Sequence, residues 1–239
     1  MKNHEVLRGA TIAFDLDGTL VESAPDVIGA INVILTEEGL APIDYKEGRP
    51  LISCGARQVL YYGLIAAGAQ DPASKADVLF LRFLAHYSAH IADQTKPFPG
   101  VFDALEVLRA AGAKLVVCTN KPTELSRSLL ASLEMLEYFE VVLGMDAVSK
   151  PKPDAAHLIE AVAMVQGDLA RTIMVGDADP DARCARAAGT PLILVDFGYS
   201  EVPVAEFKPD ILLHHFDDLV DACFRLLPKT PGAMGNLTY

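Results

Sequence analysis

Two aspartates one residue apart, in Asp15-Leu16-Asp17-Gly18-Thr19-Leu20, are the first residues of this chain able to do chemistry together. They follow an apolar run at 11–14 that reads as a buried strand, and chain leaving the carboxyl end of a strand can aim neighbouring carboxylates differently into one crevice. An Asp-Gly turn alone accounts for such a pair. Two acids this close repel, however, and at a buried strand end a cation or a shared proton has to compensate. Three further groups are placed to join them: Thr119-Asn120 after the run 114–118, Lys150-Pro151-Lys152-Pro153, and Asp177-Ala178-Asp179-Pro180-Asp181 after the run 172–175. A hydroxyl donor, an ammonium and an excess of carboxylates compose a magnesium and phosphate site, provided one sheet edge gathers them.

The elements that must position these residues are legible as hydrophobic pattern. Short runs rich in β-branched residues at 11–14, 114–118, 141–143, 172–175, 192–195 and 211–213 read as buried strands. Helix-length segments at 101–111, 123–133, 154–165 and 181–188 lie between the later ones, several of them stopping before a glycine. Strands alternating with helices predict right-handed crossovers and a doubly wound, mostly parallel α/β sheet, a Rossmann-like core. One interval breaks the rhythm: residues 21–96 show no strand but three helical segments, at 26–38, 57–67 and 76–92. That predicts an inserted all-helical cap at 21–96, a core formed by 1–20 and 97–228, and a loose tail at 229–239, with hinges near 21–24 and 96–100.

Composition narrows the partners. With 239 residues, 51% of them hydrophobic, the chain suits one large domain carrying an insertion. Twenty Lys plus Arg against 32 Asp plus Glu give a net charge of −12, which repels a nucleic-acid backbone. No apolar stretch reaches the ~20 residues of a membrane span. Without a signal-peptide pattern, and with four cysteines in no pairing or zinc spacing, the expectation is a cytoplasmic protein, monomer or homodimer, acting on a small phosphorylated metabolite.

From about residue 11 to 227 the chain resembles the haloacid dehalogenase superfamily of phosphatases, in its phosphoglycolate phosphatase branch: the D-x-D-G-T at Asp15, Thr119 after the second strand, the K-P-x-P from Lys150 and the acid cluster from Asp177 occur in that order. Thr119-Asn120-Lys121-Pro122 and Ser23-Ala24-Pro25-Asp26 resemble the same branch. The resemblance implies that Asp15 is the nucleophile and forms an aspartyl-phosphate, and that Asp17 is proton donor and then base. It implies that Thr119 holds phosphoryl oxygens and that Lys150, rather than the competing Lys152, offsets their charge. Gly18, Thr19 and Asn120 would also contact the substrate. Magnesium would be held by Asp15, the carbonyl of Asp17 and Asp177, with Asp181 behind them, while Asp179 reads as an acid at a helix N-terminus.

Substrate choice falls to the cap. The segment Ser53-Cys54-Gly55-Ala56-Arg57 resembles the branch's glycine-rich specificity loop, with Ser53 where glycine is common. Gly55 and Arg57 are the candidates for receiving a second anion such as the carboxylate of 2-phosphoglycolate, and Lys46 and Arg49 are weaker ones. A solvated helix arginine is the plain alternative for Arg57. Sugar phosphates such as N-acetylmuramate 6-phosphate, and phosphotransfer of the β-phosphoglucomutase kind, stay open. A 2-haloacid dehalogenase would not need Asp17 and Asp177, and a receiver-like signalling module would need only about half this length. His86 with His90 reads as a surface pair, His214-His215 as a turn, and Cys118 as a small core residue.

Overall fold

A computed structural model describes residues 4–227, so the expected tail at 229–239 lies outside the described residues. In chain order the elements are β1 (Thr11–Phe14), β2 (Val21–Glu22), α1 (Ala24–Glu37), α2 (Tyr45–Leu51), α3 (Ala56–Ala66), α4 (Pro72–Ala89), β3 (Lys96–Pro97), α5 (Val101–Ala110), β4 (Lys114–Thr119), α6 (Thr123–Ser132), β5 (Val141–Gly144), α7 (Ala155–Met164), β6 (Thr172–Gly176), α8 (Asp179–Ala188), β7 (Leu192–Val195), β8 (Ile211–Leu213) and α9 (Leu219–Leu226).

Six strands form one parallel sheet in the order β5-β4-β1-β6-β7-β8. Its residues alternate between two buried layers, as the period of two requires when helices cover both faces. Ile12, Phe14, Leu115, Val117, Ile173 and Val175 pack into one layer, and Ala13, Val116, Cys118 and Met174 into the other. The connections place β4 on one side of β1 and β6 on the other, so the order reverses at β1, where open α/β sheets bind ligands.

Helices α1 to α4 lie between β1 and β4, held at their base by β2, which pairs antiparallel with β3 through Val21 with Pro97 and Glu22 with Lys96. That ribbon corrects the expectation of no strand at 21–96. Strands of two residues carry no periodicity to read. Asp26 secures the ribbon from the side: its buried carboxylate accepts from the main-chain N–H groups of Gln94 and Thr95, at 3.0 and 2.8 Å, and from the Thr95 hydroxyl at 2.7 Å. Leu35, Leu60, Phe83 and Tyr87 of the helices share one continuous apolar cluster with the sheet residues. Helix α2 carries no helical sequence pattern, because Gly48 and Pro50 interrupt it; Asp44 caps it by accepting from the Lys46 N–H at 2.8 Å.

Candidate active site

The site is built from the carboxyl ends of β1, β4 and β6. The Asp15 N–H extends the ladder by one bond to the Val175 carbonyl, 2.9 Å, after which the chain turns back and Gly18 N–H meets the Val21 carbonyl at 2.9 Å. Gly18 has φ of +86°, and a Cβ there would stand 2.5 Å from Asp177 Oδ2, so both the turn and the approach exclude a side chain. Thr19 is fully buried and donates to Asp177 Oδ1 at 2.9 Å. Gly18 and Thr19 therefore brace Asp177 instead of lining the cavity, which corrects their expected contact with substrate.

Ligand oxygens of Asp15, Asp177 and Asp181 lie within 4.8 Å of one another. Burial raises the Asp15 carboxyl to about 6, with the charge of Lys152 opposing and that of Asp181 adding to the shift. Burial, then the charges of Asp181 and Asp15, pushes Asp177 well above the ordinary carboxylate range. The Lys152 ammonium stands 2.9 Å from Asp15 Oδ1. Three converging hard oxygens, two of them on the carboxyl groups of Asp15 and Asp177 whose charge burial disfavours, fit a divalent cation of the magnesium type. Asp181 also receives the N–H groups of Asp177 and Ala178 at 3.1 and 3.2 Å, fixing that loop.

The ammonium is Lys152. With 1% of its side chain exposed it pairs with Asp15 at 2.9 Å and with Asp181 at 2.7 Å. Burial alone would lower its pKa, but the charges of Asp15 and Asp181 outweigh burial and raise it. Lys150 has 70% of its side chain exposed and pairs with Asp154, 3.5 Å away, so the expected role of Lys150 is corrected. The main chain of Lys152 is pinned by His157, whose Nδ1 accepts the Lys152 N–H at 3.2 Å while Nε2 donates to the Leu143 carbonyl at 3.0 Å. Asn120 holds it as well, donating to the Lys152 carbonyl at 2.9 Å.

Thr119, buried, lines the floor of a cavity of about 370 Å³ together with Asp15, Asp17, Asn120, Lys152 and Asp177. Lys121, to which its sequence motif assigns no role, also lines the cavity. Its ammonium, 7% exposed, stands 3.1 Å from Asp17 and 2.7 Å from the Tyr87 hydroxyl. Tyr87, Phe80 and Phe83 of α4 and the segment from Ile52 to Arg57 supply the opposite wall. Arg57 stands on that wall, half-exposed and paired with Asp77. Gly55 is in the left-handed region at φ +94°, where it opens α3. Lys46 is exposed and Arg49 is engaged elsewhere, so neither reaches the cavity. Asp179 lies in the first turn of α8 and pairs with Arg183 at 3.4 Å. His86 and His90 stack on each other at 4.5 Å, and Cys118 is buried in the core.

Two carboxylates two residues apart, a strand-end threonine, a buried lysine and an acid cluster after β6 thus meet at one edge of the sheet. The chain belongs to the haloacid dehalogenase-like hydrolases, whose family model matches residues 12–195. It is a phosphatase of the branch represented by relatives named phosphoglycolate phosphatase. That of Caulobacter vibrioides is 49% identical over 226 residues, 95% of each chain, and that of Agrobacterium fabrum 38% identical over 92% of this chain and 94% of its own. The crystal structure of a predicted phosphoglycolate phosphatase from Haemophilus somnus matches with a TM-score of 0.84 at 27% identity, covering 90% of this chain and 98% of that one. Among the described residues no helix is long and apolar enough to cross a membrane.

Proposed function

We propose that the chain hydrolyses 2-phosphoglycolate to glycolate and phosphate, with magnesium, through a phosphoryl group carried on Asp15. The observation that carries this reading is the cluster of Asp15, Asp177 and Asp181 on the cavity floor, with the Lys152 ammonium paired to Asp15 and Asp181. Asp15 and Asp177, with the Asp17 carbonyl, are the groups that would hold the metal. When bound it would neutralise developing charge on the phosphoryl oxygens.

This chain's own residues do the rest. A carboxylate oxygen of Asp15 attacks phosphorus as the P–O bond to the leaving alkoxide breaks, and the carboxyl of Asp17 gives the alkoxide its proton. Thr119 and the neighbouring main-chain N–H groups orient the phosphoryl oxygens, and Lys152 offsets the negative charge of Asp15 and phosphate together. Asp17 then takes a proton from water as that water attacks phosphorus and the P–O bond to Asp15 breaks. Phosphate leaves and both carboxyl groups are restored.

For the second anion of the substrate, the cations lining the cavity among the described residues are Lys152, Lys121 and Arg57. Lys152 belongs to the phosphoryl end and Lys121 is held by Asp17 and the Tyr87 hydroxyl, which leaves Arg57, with Gly55 beside it, as the proposed reader of the carboxylate. Phosphate release from a panel of phosphomonoesters, with magnesium and with EDTA, tests the reading. The expected result is magnesium-dependent release with 2-phosphoglycolate the best substrate; a sugar phosphate turned over faster would move the assignment to the sugar-phosphate phosphatases.

A further inference from the structure

We propose that Tyr199 is a positioning residue: it ties the carboxylate of Asp177 to the placement of the helices between β1 and β4, with Glu22 and Arg49 as the link. The proposal rests on the metal reading of the acid cluster and adds to it a mechanical connection.

Tyr199 is fully buried in the loop after β7. Its main-chain N–H donates to Asp177 Oδ2 at 2.7 Å. Its hydroxyl accepts from the main-chain N–H groups of Ser23 and Ala24, at 2.7 and 3.0 Å, and donates to Glu22 Oε1 at 2.8 Å. One proton and two lone pairs are thus all in use, and each partner stands where β2 passes into α1. Arg49 of α2 closes the link from the other side. Its guanidinium lies over the Tyr199 ring, 4.8 Å from the centroid, and donates to Glu22 Oε2 at 2.7 Å. It also donates to the carbonyls of Gly198 and Phe197, at 2.8 and 2.9 Å.

Arg49 therefore grips at once the neck of the helical insertion and the loop that presents an N–H to Asp177. That loop has no slack against the carboxylate, since a Cβ on Gly198 would stand 2.3 Å from the Asp177 Cβ. A shift of the insertion that pulls Arg49 or Glu22 must then move the 197–199 loop, and moving that loop takes a hydrogen bond from an oxygen of the acid cluster. Coupling of this kind is reciprocal: a cation held by Asp177 must in turn steady the neck.

The test measures magnesium binding by calorimetry on the full, substrate-free chain, beside melting temperature. Tyr199→Phe keeps the ring and removes the hydroxyl, and Arg49→Met keeps the stem and removes the fork. Each is expected to raise the magnesium Kd about five- to tenfold, the lower range of measured site-to-site couplings, with the double variant raising it by less than the product of the two single effects, because both cut the same link. Asp26→Asn serves as the structural comparison, because it loosens the other side of the neck without touching Asp177: its melting temperature should fall while its Kd stays. Magnesium should also slow hydrogen exchange at the Ser23 and Ala24 amides in the wild type, and less so in Arg49→Met. An unchanged Kd in both Tyr199→Phe and Arg49→Met overturns the coupling alone. Equal weakening in Asp26→Asn reduces it to general stability and overturns it too. A wild type that binds no magnesium overturns the metal reading together with the coupling. Should Tyr199→Phe fail to fold, Arg49→Met decides.

Discussion

Lys152 stands between two carboxylates with almost no water to share their charge, so its removal strands Asp15 and Asp181 against each other. Lys152→Met should lower kcat by at least ~10²-fold, the low end for losing one preorganised charge in a closed site. Lys150→Met, which removes only an exposed ion pair, should stay within about twofold of the wild type; the opposite ranking in steady-state kinetics would restore the sequence expectation. Both lysines sit in an irregular segment with prolines on each side, where no period tells inside from outside. The signal that could have chosen between them is His157, on the inner side of α7 and five residues from Lys152. His157 is fully buried, and burial lowers its pKa to about 4. The unfolded chain therefore binds a proton near 6.5 that the folded chain refuses until about 4. This contribution to stability is complete above pH ~6.5 and is lost as pH falls through ~4, on the order of 3 kcal/mol in all. Asp15 acts in the opposite direction, since its raised pKa favours the fold at lower pH. The informative quantity is the difference in melting temperature between wild type and His157→Gln from pH 7 to 4.5, which should narrow steadily as the pH drops. A constant gap would show that His157 does not resist protonation.

Elements differ in how openly the sequence announces them. The strands of the sheet and helices α5 to α8 were legible because burial on both faces imposes apolar runs of fixed length and glycine marks several helix ends. Helix α2 and the β2–β3 ribbon were not, because seven residues containing Gly48 and Pro50, or strands of two residues, hold too little pattern. These unread pieces include Arg49 and Glu22, so the contact that fixes the neck was invisible too. The segment before α3 was legible as a loop, and its glycine is required: Gly55 sits at φ +94°, which a side chain would strain. What the sequence left open was whether Arg57 is engaged, and it is paired with Asp77 at a half-exposed rim. Exposed pairs of this kind are weak enough for a substrate anion to displace. Arg57→Ala should raise KM for 2-phosphoglycolate on the order of tenfold, as for one lost charge-assisted contact, and leave KM for an ester without the carboxylate nearly unchanged. Equal changes for both substrates would return Arg57 to the role of a solvated helix arginine.

Over the whole molecule, a chain of net charge −12 keeps buried ammonium groups at the one place where an anionic ester must be received. The parallel sheet delivers three strand ends to that place, and the helical insertion covers it with a wall containing Phe80, Phe83 and Tyr87 around a cavity of about 370 Å³. Because the insertion and the sheet share one apolar cluster, the wall and the floor are packed together and the acids are shielded from water, which strengthens every charge interaction among them. The central claim, that Asp15 carries the phosphoryl group, is tested most directly by phosphate release from 2-phosphoglycolate in wild type and Asp15→Asn, each with magnesium and with EDTA, beside peptide mapping of acid-quenched enzyme. The account predicts release only from the wild type with magnesium, a phosphoryl group on the peptide bearing Asp15, and an Asp15→Asn variant that keeps its fold but neither turns over nor is labelled. Hydrolysis that persists in folded Asp15→Asn at a rate near that of the wild type would contradict it.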